Sequence, residues 1–198
     1  MAGLAVSVIV EGDTDDAIVR RVLRDDGFLV AAVYGRRGKG WIDANVRRYN
    51  HAARFAPWLV VRDLNHDADC APELVRQKLP DPAPLMLYRV AVREVEAWLL
   101  GDVGGVCRFF AVRPEHVPAD PEALADPKAA LVTLARRSAR RVVRSGMAAG
   151  PGSTAAVGPE YVALLGEFAG RHWSWRSAAR RCPSLRGLVR ALERWRSR

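Results

Sequence analysis

The sequence contains no apolar run near the roughly 20 residues that a membrane span requires, so no transmembrane helix is expected. Its apolar start, Leu4 to Val10, is short, has no basic leader before it and meets acids at once. It reads as a strand, not as a signal peptide. Cysteines are few and odd in number: Cys70, Cys107 and Cys182 stand far apart. That spacing supports neither a disulfide frame nor a Cys-based zinc site, and fits free thiols in a reducing cytoplasm. There is no GxxxxGK[ST] loop, which excludes nucleotide hydrolysis of the Walker type. No Ser-His-Asp or Cys-His arrangement can be drawn, and there is neither an internal repeat nor a coiled-coil heptad. Acids are scarce in one region only. From Pro127 to Arg198 there are 15 Lys and Arg against three acids.

What is present is a globular composition. The 198 residues are 49% hydrophobic and 27% charged, which fits one generous domain, or a domain with a helical appendage. Net charge is +9, and it is unevenly placed. Met1 to Asp126 carries 16 basic and 19 acidic residues, so a mildly acidic front precedes a strongly basic back. A basic surface attracts polyanions, nucleic acid above all. Nearly all the basic residues are arginine, and arginines on solvated helix faces account for the charge equally well.

The pattern alternates strands with helices. Leu4 to Val10 is a short apolar run ending at Glu11-Gly12, as a buried parallel strand would. Asp13 or Thr14 can cap a helix whose apolar stripe is Ile18, Val19, Val22 and Leu23. Phe28 to Tyr34 reads as a second strand and Gly35 to Gly40 as a basic loop, followed by a helix from Trp41 to Ala53. Pro57 to Arg62 is a third strand, delivering Asp63. Ala71 to Leu79 is a short helix, Leu85 to Val92 a fourth strand, and Glu94 to Leu100 the first turns of another helix. Lys128 to Arg144, Pro159 to Ala169, Trp175 to Arg181 and Ser184 to Trp195 are helical in character, with a Gly- and Ala-rich loop over Ser145 to Gly158. The expected fold is α/β: a parallel sheet of about four strands flanked by helices, with a helical C-terminal part. The expected boundary falls near residue 102, with a core over 1–102 and a basic helical subdomain over 103–198 packed on it.

In such a sheet the working site lies beyond the carboxyl ends of the strands. Glu11 follows the first strand, Asp63 the third, and Glu94 and Glu96 the fourth. Asp67 and Asp69 lie on the loop after Asp63. Carboxylates converging on one edge raise one another's pKa unless a cation sits between them, and hard oxygen ligands suit Mg²⁺ or Mn²⁺. Each acid alone also has a plain reading: a turn residue at Glu11, a cap at Asp63, solvated positions at Asp67 and Asp69, helix-dipole acids at Glu94 and Glu96. The set carries more information than its members. Arg36, Arg37 and Lys39 among their glycines can contact phosphate non-specifically, and Lys128 can pair with a phosphate or a site carboxylate. Arg140 and Arg144 belong to the basic back half. His51 and His66 read as surface residues, and Trp173 and Trp175 as core or rim of the helical part.

Val10-Glu11-Gly12-Asp13-Thr14-Asp15 resembles the opening motif of TOPRIM domains, the compact α/β modules of primases, topoisomerases and overcoming-lysogenisation-defect nucleases. The second motif of those domains, Asp-x-Asp at a later strand end, falls here on Asp63-Leu64-Asn65. Further segments resemble a bacterial TOPRIM-like family known as domain of unknown function 4276. They are Glu11-Gly12 with Thr14, Asp69-Cys70, Arg93 to Asp102, Asp126-Pro127-Lys128, Gly158 to Tyr161 and Pro183-Ser184-Leu185, in order along nearly the whole chain. The resemblance implies a TOPRIM-like core and a Mg²⁺- or Mn²⁺-dependent nuclease, with a place in phage defence beside a partner ATPase. By position, Glu11 would be the acid/base or a metal ligand and Asp63 a ligand. Asp67 or Asp69 would complete the site, with Glu94 and Glu96 as further ligands or structural acids. Asn65 departs from the motif; its amide oxygen binds a divalent ion but adds no charge, so affinity should fall. The alternative is a non-catalytic nucleic-acid-binding or adaptor protein. A homodimer is compatible with either.

Overall fold

In the computed structural model, which describes residues 3–196, the chain is an α/β structure built on one four-stranded parallel sheet. The strands are β1 (Ala5–Val10), β2 (Leu29–Gly35), β3 (Trp58–Asp63) and β4 (Met86–Ala91), in the order β2-β1-β3-β4. The crossovers are α1 (Asp13–Asp25), α2 (Lys39–Ala52) and α3 (Ala71–Lys78). Parallel strands cannot be joined by tight turns, so each crossing needs a helix, and helices on both faces bury the sheet. The side-chain period of two divides the strands between two cores. Val6, Val8 and Val10 of β1 face α1 through Ile18, Val19, Val22 and Leu23. Ile9, Trp58, Val60, Tyr88 and Val90 face α2 and α3 through Ile42, Val46 and Leu74.

After β4 the chain is helical: α4 (Val95–Gly101), α5 (Val103–Phe110), α6 (Pro127–Arg137), α7 (Arg141–Met147), α8 (Tyr161–Glu167), α9 (Trp175–Ala178) and α10 (Pro183–Arg196). Asp126 caps α6, its Oδ1 accepting the Ala129 N–H at 2.7 Å, with Pro127 in the first turn. The helix expected over 128–144 is two helices, broken at Ser138, whose Oγ accepts the Arg140 N–H at 3.1 Å. A short polar side chain that bonds nearby backbone competes with the helical ladder. The five residues Phe168–His172 form a π-helical turn that ends the helix begun at Tyr161. No described helix is long and apolar enough to cross a membrane.

The C-terminal helices share a core with the sheet. One continuous hydrophobic cluster runs from Val6 and Leu59 through Trp98 and Phe109 to Leu188 and Trp195. Trp98 is fully buried, and its Nε1 donates to Ser184 Oγ at 2.7 Å. Trp173 Nε1 donates to the Trp98 carbonyl at 3.2 Å, tying a late segment to α4. A Cβ on Gly101 would lie 2.7 Å from Cys182 Sγ and 3.0 Å from Ala178, so only glycine lets α4 and α9 pack this closely.

Candidate active site at the ends of β1 and β3

β1 and β3 are the neighbours at which the sheet changes direction: the chain leaves β1 for β2 on one side and returns to β3 on the other. At such a switch point the connections diverge and leave a crevice beyond the strand ends. Glu11 follows β1 and Asp63 ends β3, so both reach that crevice. Glu11 Oε1 accepts the Asp63 N–H at 2.9 Å, and Asp63 Oδ1 accepts the Val95 N–H at 3.0 Å. Asp15, in the first turn of α1, is 6% exposed, and its Oδ1 is buried without a hydrogen-bond partner. Glu96, in α4, is buried; its Oε1 accepts the Tyr161 hydroxyl at 3.3 Å and lies 3.7 Å from Lys128 Nζ.

A cavity of about 350 Å³ is lined by Glu11, Asp15, Asp63, Glu96, Lys128 and Tyr161, together with backbone at Gly12 and Gly38. Among the described residues that line it, Glu11, Asp15, Asp63 and Glu96 face one ammonium, while a fifth acid, the exposed Asp13, lies 3.5 Å from Arg36. Their acidities follow. Burial, then the charges of Glu96 and Glu11, push Asp15 up to about 7. Burial, then Asp15, Glu11, Glu96 and Glu94, raise Asp63 well above the usual carboxylate range. Glu11 is raised by burial despite the Asp63 N–H and the charge of Arg62. Burial also raises Glu96, with Lys128 opposing it. Burial alone would lower Lys128, but Glu96, Glu94 and Asp63 outweigh it and raise its pKa. All four carboxyl groups therefore hold their protons more tightly than ordinary carboxylates do.

Of the sequence-derived ligands, Glu11, Asp63 and Glu96 meet at this cavity. Glu94 stands beside it, its Oε2 accepting the Lys128 N–H at 3.3 Å. Asn65, Asp67 and Asp69 do not join the wall, which corrects the expected ligand set. The backbone turns at Asn65 with φ of 50°, and Arg93 Nη1 donates to its carbonyl at 2.7 Å, so the loop leads away. Asp67 is taken by Lys39 Nζ at 2.8 Å and Arg62 Nη2 at 2.7 Å. Its pKa is held below the usual value, first by the Lys39 hydrogen bond. Asp69 is exposed and lines a different cavity, beside β4.

Sequence reasoning missed Asp15 and Tyr161. Asp15 had a signal: it lies three, four and seven residues before Ile18, Val19 and Val22, on the stripe that faces the sheet. Tyr161, about 150 positions after Glu11, had only its place in the Gly158 to Tyr161 segment of the resemblance, which assigned it no role. It also missed Arg62, 1% exposed, whose Nε and Nη2 grip Asp43 at 2.9 and 3.0 Å. Arg62 Nη1 donates to the Asp63 carbonyl at 2.6 Å, bracing the strand end that carries the site.

The residues expected to hold nucleic acid divide. Lys128 lines the acidic cavity. Arg36 pairs with Asp16 at 2.5 Å and Asp13 at 3.5 Å, while Lys39 is committed to Asp67. Arg37 is exposed. Arg140 donates to the Phe109 carbonyl at 2.9 Å, and Arg144 to the Ser138 carbonyl. Both are exposed in part on the helical side of the molecule.

The donor set is one that Mg²⁺ or Mn²⁺ prefers: hard carboxylate oxygens, one of them buried and unpartnered. As the side chains stand, no group of three or more His, Cys, Asp or Glu that could hold a metal ion is assembled among the described residues. No family model, no curated protein and no solved structure matches the chain.

Proposed function

We propose that the cavity is the active site of a divalent-metal-dependent nuclease of TOPRIM type, acting on nucleic-acid phosphodiesters. The observation that carries this reading is four carboxylates from β1, α1, β3 and α4 lining one crevice at the switch point, with an Asp15 oxygen buried and unpartnered. Such a set is stabilised either by protons or by a cation, and a cation displaces the protons when it binds. Glu11, Asp15 and Asp63 would hold it, with Glu96 completing the shell. When bound, Mg²⁺ or Mn²⁺ polarises a phosphodiester and lowers the pKa of a coordinated water. Glu11, half-buried and raised in pKa, takes up the proton of the attacking water. Lys128 meets a non-bridging phosphate oxygen at the wall, and Tyr161 orients Glu96 through its hydroxyl. Arg37, Arg140 and Arg144 meet backbone phosphates farther along the chain.

One observation favours the second reading, a nucleic-acid-binding adaptor for a partner ATPase. The loop after β3 contributes Asp63 alone, since Asp67 is neutralised by Lys39 and Arg62. The test is calorimetric titration with Mn²⁺, alongside cleavage of labelled DNA and RNA by the wild type, Glu11→Gln and Asp63→Asn. The nuclease reading expects binding of the ion, and cleavage lost in both variants. Salt-sensitive nucleic-acid binding with no ion uptake and no cleavage establishes the adaptor instead. The unpaired cysteines suit a protein working in the reducing cytoplasm.

A further inference from the structure

The edge of the sheet opposite β2 is neither paired nor fully covered. In β4, Leu85 and Ala91 turn their carbonyls to β3, accepting from Trp58 and Leu64 at 2.8 Å each. Alternate residues therefore point their peptide groups outward. At the two ends those groups are satisfied: the Met86 N–H donates to the Ala83 carbonyl at 2.9 Å, and the Val92 N–H to Ser184 Oγ at 3.4 Å. Between them, the peptide groups of Tyr88 and Val90 face away from β3 with no partner among the described residues.

A groove of about 700 Å³ lies over this stretch, between α3 and α10. It touches Tyr88, Arg89 and Val90 in succession. Consecutive strand residues point to opposite faces, so a groove that meets all three has the strand's edge as its floor. The α3 wall is apolar, with Leu64, Val75 and Val90. The α10 wall is different. Arg89 is half-buried, its Nε is shielded from solvent without a hydrogen-bond partner, and no described carboxylate pairs with it. Burial and the nearby charge of Arg194 push its pKa down, the response of a guanidinium short of an anion. With Arg76 and Arg93, Arg89 gives the lining three guanidinium groups against two acids, Asp69 and Glu122, and Glu122 already accepts the Ser184 hydroxyl at 2.6 Å.

We propose that this groove binds an extended, acidic segment of a partner protein, which adds to β4 as a fifth strand. Main-chain bonds to Tyr88 and Val90 supply the pairing, and the alternation of the two walls supplies the specificity. One set of side chains on the segment is apolar and packs against Leu64 and Val75. The intervening set is Asp or Glu and meets Arg89. A second copy of this chain does not suit the groove, because pairing through its own β4 would bring a like-charged Arg89 to a lining that already holds Arg76, Arg89 and Arg93. The proposal does not rest on the reading of the acidic cavity, which has a separate wall.

The experiment selects random decapeptides displayed on phage against the full chain, then measures the best binders in solution. The expected consensus alternates apolar and acidic residues, and the bound peptide slows amide exchange at Tyr88 and Val90. Arg89→Glu should weaken binding at least tenfold. Gly187→Leu should do the same by filling the groove. A Cβ at Gly187, inside α10, meets no atom within 4 Å, so that variant keeps the fold. Selection of no peptide overturns the proposal. So do binders without acids, unchanged exchange at Tyr88 and Val90, or wild-type affinity in either variant. Displacement of the peptide by acetate or citrate alone would point to a small-anion pocket and likewise overturn it. Dimerisation abolished by Gly187→Leu would give the edge to a second copy and reject the partner segment.

Discussion

Two groups of acids lie within a few residues of each other at the carboxyl end of the sheet, and they are in opposite electrostatic states. Asp43 and Asp67 share the buried guanidinium of Arg62, with Lys78 and Lys39 closing the network from outside. Burial alone would raise Asp43, yet hydrogen bonds from Arg62 and Lys78 outweigh it and hold the carboxyl below its usual range. Glu11, Asp15, Asp63 and Glu96 are as close to the sheet, but Lys128 is the one cation lining their cavity among the described residues, and the charges of Arg62 and Lys39 reach Glu11 without offsetting its burial. All four are raised, burial being the largest cause for each. The first group is finished chemistry: its charges are matched and it braces the strand end. The second is unfinished, and unmatched charge at a crevice is what a ligand or a reaction uses.

The largest expected effect breaks the comparison through pH. Burial, then the charges of Glu96 and Glu11, push Asp15 up to about 7 in the folded chain, from an ordinary value of about 4. Its protonation stabilises the fold fully below about pH 4, and that stabilisation is lost as pH rises to about 7. The loss is on the order of a few kcal/mol. Asp15→Asn should remove this slope, so urea denaturation of the two proteins at pH 4.5 and 8 should show the variant gaining with pH. Equal slopes would show that Asp15 is not an unmatched charge. The paired group has the opposite sign. Asp43 and Asp67 are depressed, so their contribution is present above about pH 4 and is lost on further acidification.

Arg62→Met makes the two groups alike by stripping the first of its cation. Removing one partner of a buried pair costs about 3 kcal/mol. Chemical denaturation should show that loss, and Mn²⁺ titration should show weakened uptake, because the Asp63 carbonyl loses its brace. On the proposed reading, a divalent metal would act from the other side, supplying the second group with its missing charge. At 100 times its dissociation constant, Mn²⁺ should stabilise the chain by about 2.7 kcal/mol, read as a rise in Tm at pH 7. Glu11→Gln should abolish that rise. The smallest effect belongs to Lys39→Ala. Lys39 Nζ sits 2.8 Å from Asp67, but the pair is largely solvated, and about 0.5 kcal/mol is expected from thermal melts.

Much of the fold was legible because parallel strands buried on two faces read as apolar runs of a distinctive length, and β1, β3 and β4 each have one. The break at Ser138 was not, since Ala and Arg on either side are good helix formers and only the hydroxyl's bond to Arg140 marks it. In the site, Glu11 and Asp63 were legible from their places at strand ends. Asp67 and Asp69 looked equivalent to Asp63 because spacing shows where a carboxylate is but not which cation reaches it first. Arg62 reads as the polar end of a strand, and nothing local says that its guanidinium folds back beneath the sheet to reach Asp43, 19 residues earlier. Asp15 was hidden by its neighbours: Asp13 and Asp16 are helix-dipole acids, and three acids in four residues read as one exposed turn.

Lys128 and Tyr161 both come from beyond residue 102, yet they close the wall whose floor is made by Glu11 and Asp63. The boundary that composition suggests is therefore not a seam along which the molecule can be cut. A chimera that grafts a foreign tail onto the first 102 residues would inherit an open trough of acids stripped of the ammonium of Lys128. The front half supplies the acids, and the back half supplies the ammonium and the hydroxyl that face them.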